Sequence, residues 1–180
     1  MEDRLLLWRF RLGSADALRR IYEKYSRQMY SLAAALVRDT AGAEDIVHDV
    51  FVSFAQLPKN AGGIANLKAY LMTAAANRAR DMLRHSTWPR CASGHATQSD
   101  VDTAVVCDSL TGMIKDEDIR QLTSAIAELP YEQQEAVLLH ERNGLTFKAI
   151  AAHQDVSINT VQSRYRYGLD KLRSIMNDKV

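Results

Sequence analysis

Residues 147–165, FKAIAAHQDVSINTVQSRY, carry the most specific chemistry in the chain. Ile150 and Ala151 fall on the inward side of a short helix, and the small Ala151 lets a second helix cross closely. Ser157 can cap that second helix by accepting an orphan backbone N–H. Ile158, Val161, Tyr165, Leu169 and Leu172 recur at steps of three and four and are expected to anchor it. Asn159, Thr160, Gln162, Ser163, Arg164, Arg166 and Tyr167 are left on the remaining surface. A helix fits the major groove of DNA with its N-terminal residues at the base edges. Asn and Gln bond adenine in bidentate fashion, Arg does so to guanine, and Arg164, Arg166, Lys171 and Arg173 can neutralise phosphates. A solvated basic helix in an ordinary bundle shares this pattern. Two turn positions are irregular. Asp155 stands where glycine is usual, although Asp tolerates left-handed backbone better than most residues. Gln154 replaces a buried aliphatic, and the two changes together are expected to loosen the turn at most slightly without abolishing it.

A second polar face lies in residues 67–84, LKAYLMTAAANRARDMLR. Leu67, Leu71, Ala74, Ala75 and Met82 cluster on one side of the helical wheel. Tyr70, Thr73, Asn77, Arg80, Asp81 and Arg84 lie on the other. Arg78 projects within the apolar sector, where a buried guanidinium needs a partner; Asp45 and Asp49 of the preceding helix are the candidates. A merely solvated face would look the same.

Other chemistries find little support. Cys91 and Cys107, the only cysteines, sit with His85 and His95 at no zinc spacing, so no metal site is expected. The histidines and carboxylates show no triad pattern, and no glycine-rich phosphate loop appears, so neither catalysis nor a cofactor is expected. No apolar run approaches the roughly 20 residues of a membrane span. The N-terminus, with acid and Arg on both sides of a very short apolar patch, does not read as a secretory signal, which points to the cytosol. The formal net charge of +1 identifies no partner.

The elements that must position these residues are all helical. Residues 15–38 repeat Leu18, Ile21, Tyr22, Tyr25, Met29, Leu32, Ala33 and Leu36, with Ser14 as N-cap. Residues 40–56 form a second helix with Ile46, Val47, Val50, Phe51 and Phe54 inward; Thr40 opens a near-miss for a capping box, and Leu57-Pro58 ends the helix. Residues 58–66 are a loop in which Asn66 caps the helix over 67–84. Residues 86–116 show no sustained period and read as a linker. So long a connection inside one compact domain is unusual, which argues for two domains. Helices over 118–129, 131–142, 146–154 and 157–176 follow, with no strand and no repeat. The expected organisation is all-α, with domains at 1–85 and 117–180 joined by a flexible linker at 86–116.

Taken together, AEDIVHDVFVSFAQ followed by a loop and LKAYLMTAAANRARDMLR resembles region 2 of extracytoplasmic-function (group IV) sigma factors of the sigma-70 family. The stretch LPYEQQEAVLLHERNGLTFKAIAAHQDVSINTVQSRYRYGLDKLR resembles their region 4. The resemblance covers roughly residues 15–84 and 122–173. It implies a promoter-recognition factor that binds core RNA polymerase. Glu44, Asp45, His48 and Asp49 would meet the β′ clamp helices, while the second domain would touch the β flap. Lys59, Asn60 and Asn66 of the loop, with Asn77, Arg80 and Arg84, would meet the −10 element. Ser157, Asn159, Thr160, Gln162, Ser163, Arg164, Arg166, Tyr167 and Lys171 would read the −35 element. The acidic linker would run toward the RNA exit path, and an anti-sigma protein is a partner the resemblance allows. Lys148 stands where family members often carry an acid, and Gln154-Asp155 replaces their usual aliphatic-glycine pair, so the −35 preference could be unusual. The competing reading is a stand-alone helix-turn-helix regulator that needs no polymerase.

Overall fold

The computed structural model describes residues 2–57, 64–86 and 116–178, and all its regular structure is helical. The order is α1 (Glu2–Arg11), α2 (Ala15–Val37), α3 (Thr40–Ala55), α4 (Leu67–Ser86), α5 (Asp116–Ala127), α6 (Tyr131–Val137), α7 (Phe147–Gln154) and α8 (Ile158–Asp178). The stretch expected to be the linker lies outside the described residues except at its two ends, as do Lys59, Asn60, Cys91, His95 and Cys107.

The periodicity of α2 holds: Ile21, Tyr25, Met29, Leu32 and Leu36 are buried, and Ser14 caps the helix by accepting from the Ala17 amide at 3.3 Å. Tyr22, expected inward, is 47% exposed, although its ring still meets that of Phe51 at 4.7 Å. Helix α3 starts where expected but is capped by Asp39, which accepts from the Gly42 amide at 2.9 Å. Thr40 is thus inside the helix rather than its cap. Asn66 caps α4 through the Ala69 amide at 3.1 Å.

Helix α1 corresponds to no helix in the sequence reading. Its Leu6 and Leu7 are buried, and Asp3 ties it to α2 by accepting from Lys24 Nζ at 2.7 Å and Tyr25 Oη at 2.6 Å. Burial alone would raise the Asp3 carboxyl's pKa; the bonds from Lys24 and Tyr25 outweigh that and hold it below its ordinary value.

The span 131–142, expected as one helix, is α6 followed by a π-helical turn, Leu138–Arg142. The wider turn lets the Asn143 amide and side chain both donate to the Leu138 carbonyl, at 3.2 and 3.1 Å. It also presents His140, which stacks on Phe147 (4.1 Å between ring centres) and meets Tyr165 edge-on (5.0 Å). These three rings bind α6, α7 and α8 into one unit. Gly168 allows α6 and α8 to pack closely, since a Cβ there would lie 3.0 Å from Val137 Cγ2.

One buried cluster runs from Leu6 and Leu7 through α2, α3 and α4 into Ala136, Leu138, Leu139, Leu145, Ile150, Ala151 and Val161. The first four helices and the last four therefore share a core. A smaller cluster of Ala125, Leu129, Val137 and Leu172 seals the far side of α5, α6 and α8.

Candidate nucleic-acid and polymerase interfaces

The turn between α7 and α8 is built as the sequence allows. Thr146 caps α7 through the Ala149 amide at 3.3 Å. Asp155 adopts φ 52°, ψ 47°, the left-handed conformation usually given to glycine, and its amide donates to the Ala151 carbonyl. The Val156 amide bonds the same carbonyl at 3.1 Å. Ser157 then caps α8, accepting from the Thr160 amide at 3.1 Å.

Val161 and Leu172 of α8 are buried as expected. Ile158 is a correction: as the first residue of α8, with no preceding turn of its own helix beside it, it is 42% exposed. Asn159, Gln162, Arg166, Tyr167 and Lys171 are exposed, while Thr160, Ser163 and Arg164 are half-buried. Lys171 and Arg166, like Thr160 and Arg164, are engaged within the protein. Lys171 Nζ donates to the Glu128 carbonyl at 3.0 Å, and the Arg166 guanidinium lies over the Tyr167 ring at 5.6 Å.

Gln154 is held at the turn by polar contacts. Its amide nitrogen donates to Glu135 Oε2 at 2.7 Å and its oxygen accepts from Arg164 Nη1 at 2.7 Å. A polar pair of bonds replaces the aliphatic contact. Their common anchor, Glu135, is wholly buried and was not singled out in the sequence reading. Its other oxygen faces His153 Nε2 at 3.0 Å. A third donor reaches it from the first helical group: Arg80 Nη2 of α4, at 2.5 Å. The signal available was an ionisable residue amid QQEAVLL, in a helix too apolar to leave it in solvent.

On α4, Asn77 and Arg84 are exposed, but Arg80 is turned toward α6, with its side chain 22% exposed. The Arg80 guanidinium also lies 5.8 Å from the centre of the Tyr131 ring. The Tyr131 hydroxyl donates to the Ala76 carbonyl at 3.2 Å. Burial raises the Tyr131 pKa above its ordinary value, and the neighbouring Glu135 charge adds to the rise. Gln134, also buried, donates to the Ala35 carbonyl at 2.8 Å. Met72, Ala76 and Ala79, outside the apolar sector read from the sequence, are buried as well.

Glu44, Asp45 and His48 form an exposed row on α3. Asp49 is half-buried and accepts from Arg78 Nη2 at 2.7 Å, the pairing expected for Arg78. The Arg78 side chain is nevertheless 52% exposed, so this is a surface ion pair and not the buried one the wheel suggested. Among the described residues, no three His, Cys, Asp or Glu side chains converge as metal ligands, and no helix is long and apolar enough to cross a membrane.

Residues 21–89 match the family described as Sigma-70 region 2, and residues 119–172 match Sigma-70, region 4. The chain is 30% identical over 172 residues to "RNA polymerase sigma factor CarQ" of Myxococcus xanthus, covering 94% of this chain and 95% of that protein. It is 26% identical over 167 residues to "ECF RNA polymerase sigma factor SigL" of Mycobacterium tuberculosis, covering 92% of each. CnrH, solved in complex with the cytosolic domain of CnrY, shares the fold with a TM-score of 0.72 at 17% identity, over 99% of both chains. RpoE of Bartonella quintana, solved with the anti-sigma factor NepR, does so with a TM-score of 0.65 at 19% identity, over 88% of this chain and 96% of that one.

Proposed function

Because the chain belongs to the sigma-70 family, as a promoter-recognition sigma factor of the extracytoplasmic-function kind, we propose a specific division of labour among its faces. Residues 1–85 bind core polymerase and the −10 element, and residues 117–180 read the −35 element, with 86–116 as the connection. Helix α8 enters the major groove. Asn159, Thr160, Gln162 and Ser163 approach base edges, Arg164 and Arg166 meet guanine or phosphate, and Ser157, Tyr167 and Lys171 border the groove. The carrying observation is the α7–Asp155–α8 geometry, which leaves Asn159, Gln162 and Arg166 exposed on the leading half of one rigid helix.

Lys59, Asn60, Asn66, Asn77, Arg80 and Arg84 engage the −10 element. Melting needs a surface that repays the few kcal/mol of unstacking by contacts to extruded bases. Asn77 offers both a donor and an acceptor, and the two arginines hold the separated strand's backbone. The exposed row Glu44, Asp45 and His48, with Asp49 beside it, docks on the β′ clamp helices, and residues 117–180 touch the β flap. The protein works in the cytoplasm beside the polymerase, without covalent chemistry of its own. CnrH and RpoE, each solved with a protein partner, support an anti-sigma protein as a further partner.

The test is transcription with core polymerase, followed by permanganate footprinting of opened thymines. Holoenzyme made with the Asn77→Ala, Arg80→Ala double variant should form with core yet fail to open duplex promoter. A preformed bubble at −10 should partly restore it, because the opening cost is already met. Normal opening by the double variant removes this face from the mechanism. A tight, sequence-specific duplex complex formed without polymerase would favour a stand-alone regulator.

A further inference from the structure

We propose that Gln154 is a positioning residue for DNA contact: it carries the hold of buried Glu135 onto Arg164 and so fixes that guanidinium at the edge of the major groove, where it grips a backbone phosphate of the −35 element. The proposal rests on the assignment of α8 to the −35 element.

Gln154 stands between a carboxylate and a guanidinium, both within the α6–α8 unit. Its Nε2 donates to Glu135 Oε2 at 2.7 Å, and its Oε1 accepts from Arg164 Nη1 at 2.7 Å. A carboxylate only accepts and a guanidinium only donates, so a single orientation of the amide satisfies both. A second carboxylate in this place would repel Glu135, and a cation would repel Arg164. An aliphatic side chain would leave Arg164 without the bond. Glu135 is wholly buried, and its other oxygen faces His153 Nε2 at 3.0 Å. The hold on Arg164 is therefore anchored in the core and not on the surface.

The same geometry sets what Arg164 can reach. Helical residues turn by about 100° each, so Arg164 lies roughly 60° round from Val161 and Asn159 roughly 160°. Val161 is buried, Arg164 is half-buried on the flank of α8, and Asn159 and Arg166 hold the exposed side. A flank position meets the wall of the groove, which is phosphate, while the exposed side meets base edges. No hydrogen bond to Arg164 other than that of Nη1 occurs among the described residues. Nε and Nη2 remain as a side-on fork that matches two oxygens of one phosphate. Because the amide is neutral, Arg164 is placed without a carboxylate against it, and its charge stays available to DNA. Binding then has less side-chain freedom to freeze.

The experiment measures holoenzyme, made from the full-length protein and core polymerase, on a promoter duplex that the wild-type holoenzyme opens. Arg164→Ala should lower the slope of log affinity against log salt by about one. Gln154→Leu keeps the charge of Arg164 but frees it, and should weaken binding about fivefold at fixed salt. The loss should be equal on promoters changed at each −35 base pair, since phosphate carries no sequence. Added to Arg164→Ala, Gln154→Leu should cause no further loss, because the two residues act as one unit. Gln154→Met, closer in shape to glutamine, carries the same cycle if thermal denaturation shows Gln154→Leu to be poorly folded. A Gln154 effect that persists in the Arg164→Ala background would reduce Gln154 to a turn residue and overturn the proposal. So would unchanged binding in both Gln154 variants, an Arg164→Ala holoenzyme that binds like wild type, or a loss confined to one −35 base pair. Wild-type binding that ignores the −35 sequence altogether would instead overturn the functional reading, and the proposal with it.

Discussion

The two helices assigned to DNA, α4 and α8, meet their surroundings in opposite ways. Helix α8 presents Asn159, Gln162 and Arg166 to solvent, and its place is fixed by the local frame of Ser157, Asp155 and Thr146. Helix α4 carries a comparable polar face, but its central arginine is folded onto a buried carboxylate 55 residues further along the chain. One face is ready when the α6–α8 unit folds; the other depends on what the second group is doing. Helical period defines a face, and tertiary packing decides whether that face is available.

The sharpest way to break this comparison is to remove the carboxylate. Glu135→Ala leaves Arg80, His153 and Gln154 without their common acceptor and opens a void. Losing one partner of a buried charged network costs about 3–5 kcal/mol. Asn159→Ala on the open face should change stability by less than about 0.5 kcal/mol. Urea denaturation of the two variants checks both. Equal midpoints would mean that the Glu135 network contributes nothing and that the two faces do not differ.

A smaller effect separates Arg164 from Arg166. Arg164 is half-buried and bonded to Gln154, whereas Arg166 is exposed on its neighbour Tyr167. Arg164→Ala should cost about 1 kcal/mol of stability through the lost hydrogen bond. Arg166→Ala should leave thermal stability unchanged, weaken promoter binding by holoenzyme and reduce its salt slope by about one if the contact is to phosphate. If it touches a base edge, specificity at one −35 position should relax at a cost of roughly 1–3 kcal/mol.

The two helix caps sharpen the comparison further. Ser157 caps α8 and Asn66 caps α4, each through one backbone amide near 3.1 Å. Alanine at either should cost about 1 kcal/mol. Asn66→Asp keeps the capping oxygen and adds a charge that DNA repels. It should retain wild-type stability while weakening −10 engagement on bubble templates. Loss of stability with unchanged DNA binding would make Asn66 a cap alone.

How much of this was legible depended on whether the cause was local. Ser14, Asn66 and Ser157 were correctly read as caps, because capping chemistry is set within three residues. The αL turn at Asp155 was readable for the same reason. Asp39 was missed because Thr40 and Asp39 are both good caps and only the phase of the chain entering α3 chooses between them. The π-turn at Leu138–Arg142 has no distinct residue pattern, since its extra residue is accommodated by Asn143 and the His140–Phe147–Tyr165 rings. Helix α1 is ten residues with little periodicity to read, and it is ordered by docking, through Asp3 and the buried Leu6 and Leu7. Arg78 was paired correctly but placed too deep, because a wheel gives direction and not depth. Glu135 was invisible as a site because its role comes from α4, α7 and α8 together.

The smallest expected effect concerns how α8 is aimed. Asp155 holds φ 52°, where an ordinary L-residue pays about 1–2 kcal/mol and Asp pays less. Glycine removes that strain but gives the unfolded chain about 0.5–1 kcal/mol of extra entropy to lose. The two terms oppose each other, so Asp155→Gly should shift stability by no more than about 0.5 kcal/mol. Asp155→Ala keeps the strain without a polar side chain to offset it, and should be the less stable of the two by about 1 kcal/mol. DNA binding need not follow stability here. Both substitutions remove an exposed carboxylate two residues before Ser157, at the end of α8 assigned to the bases. Each should therefore tighten −35 binding slightly at low salt, and the gain should vanish at high salt, where repulsion from phosphate is screened. Thermal denaturation and a salt series of holoenzyme binding on the same two variants separate the terms. A gain that persists at high salt would mean that the turn alters the aim of α8 rather than its field.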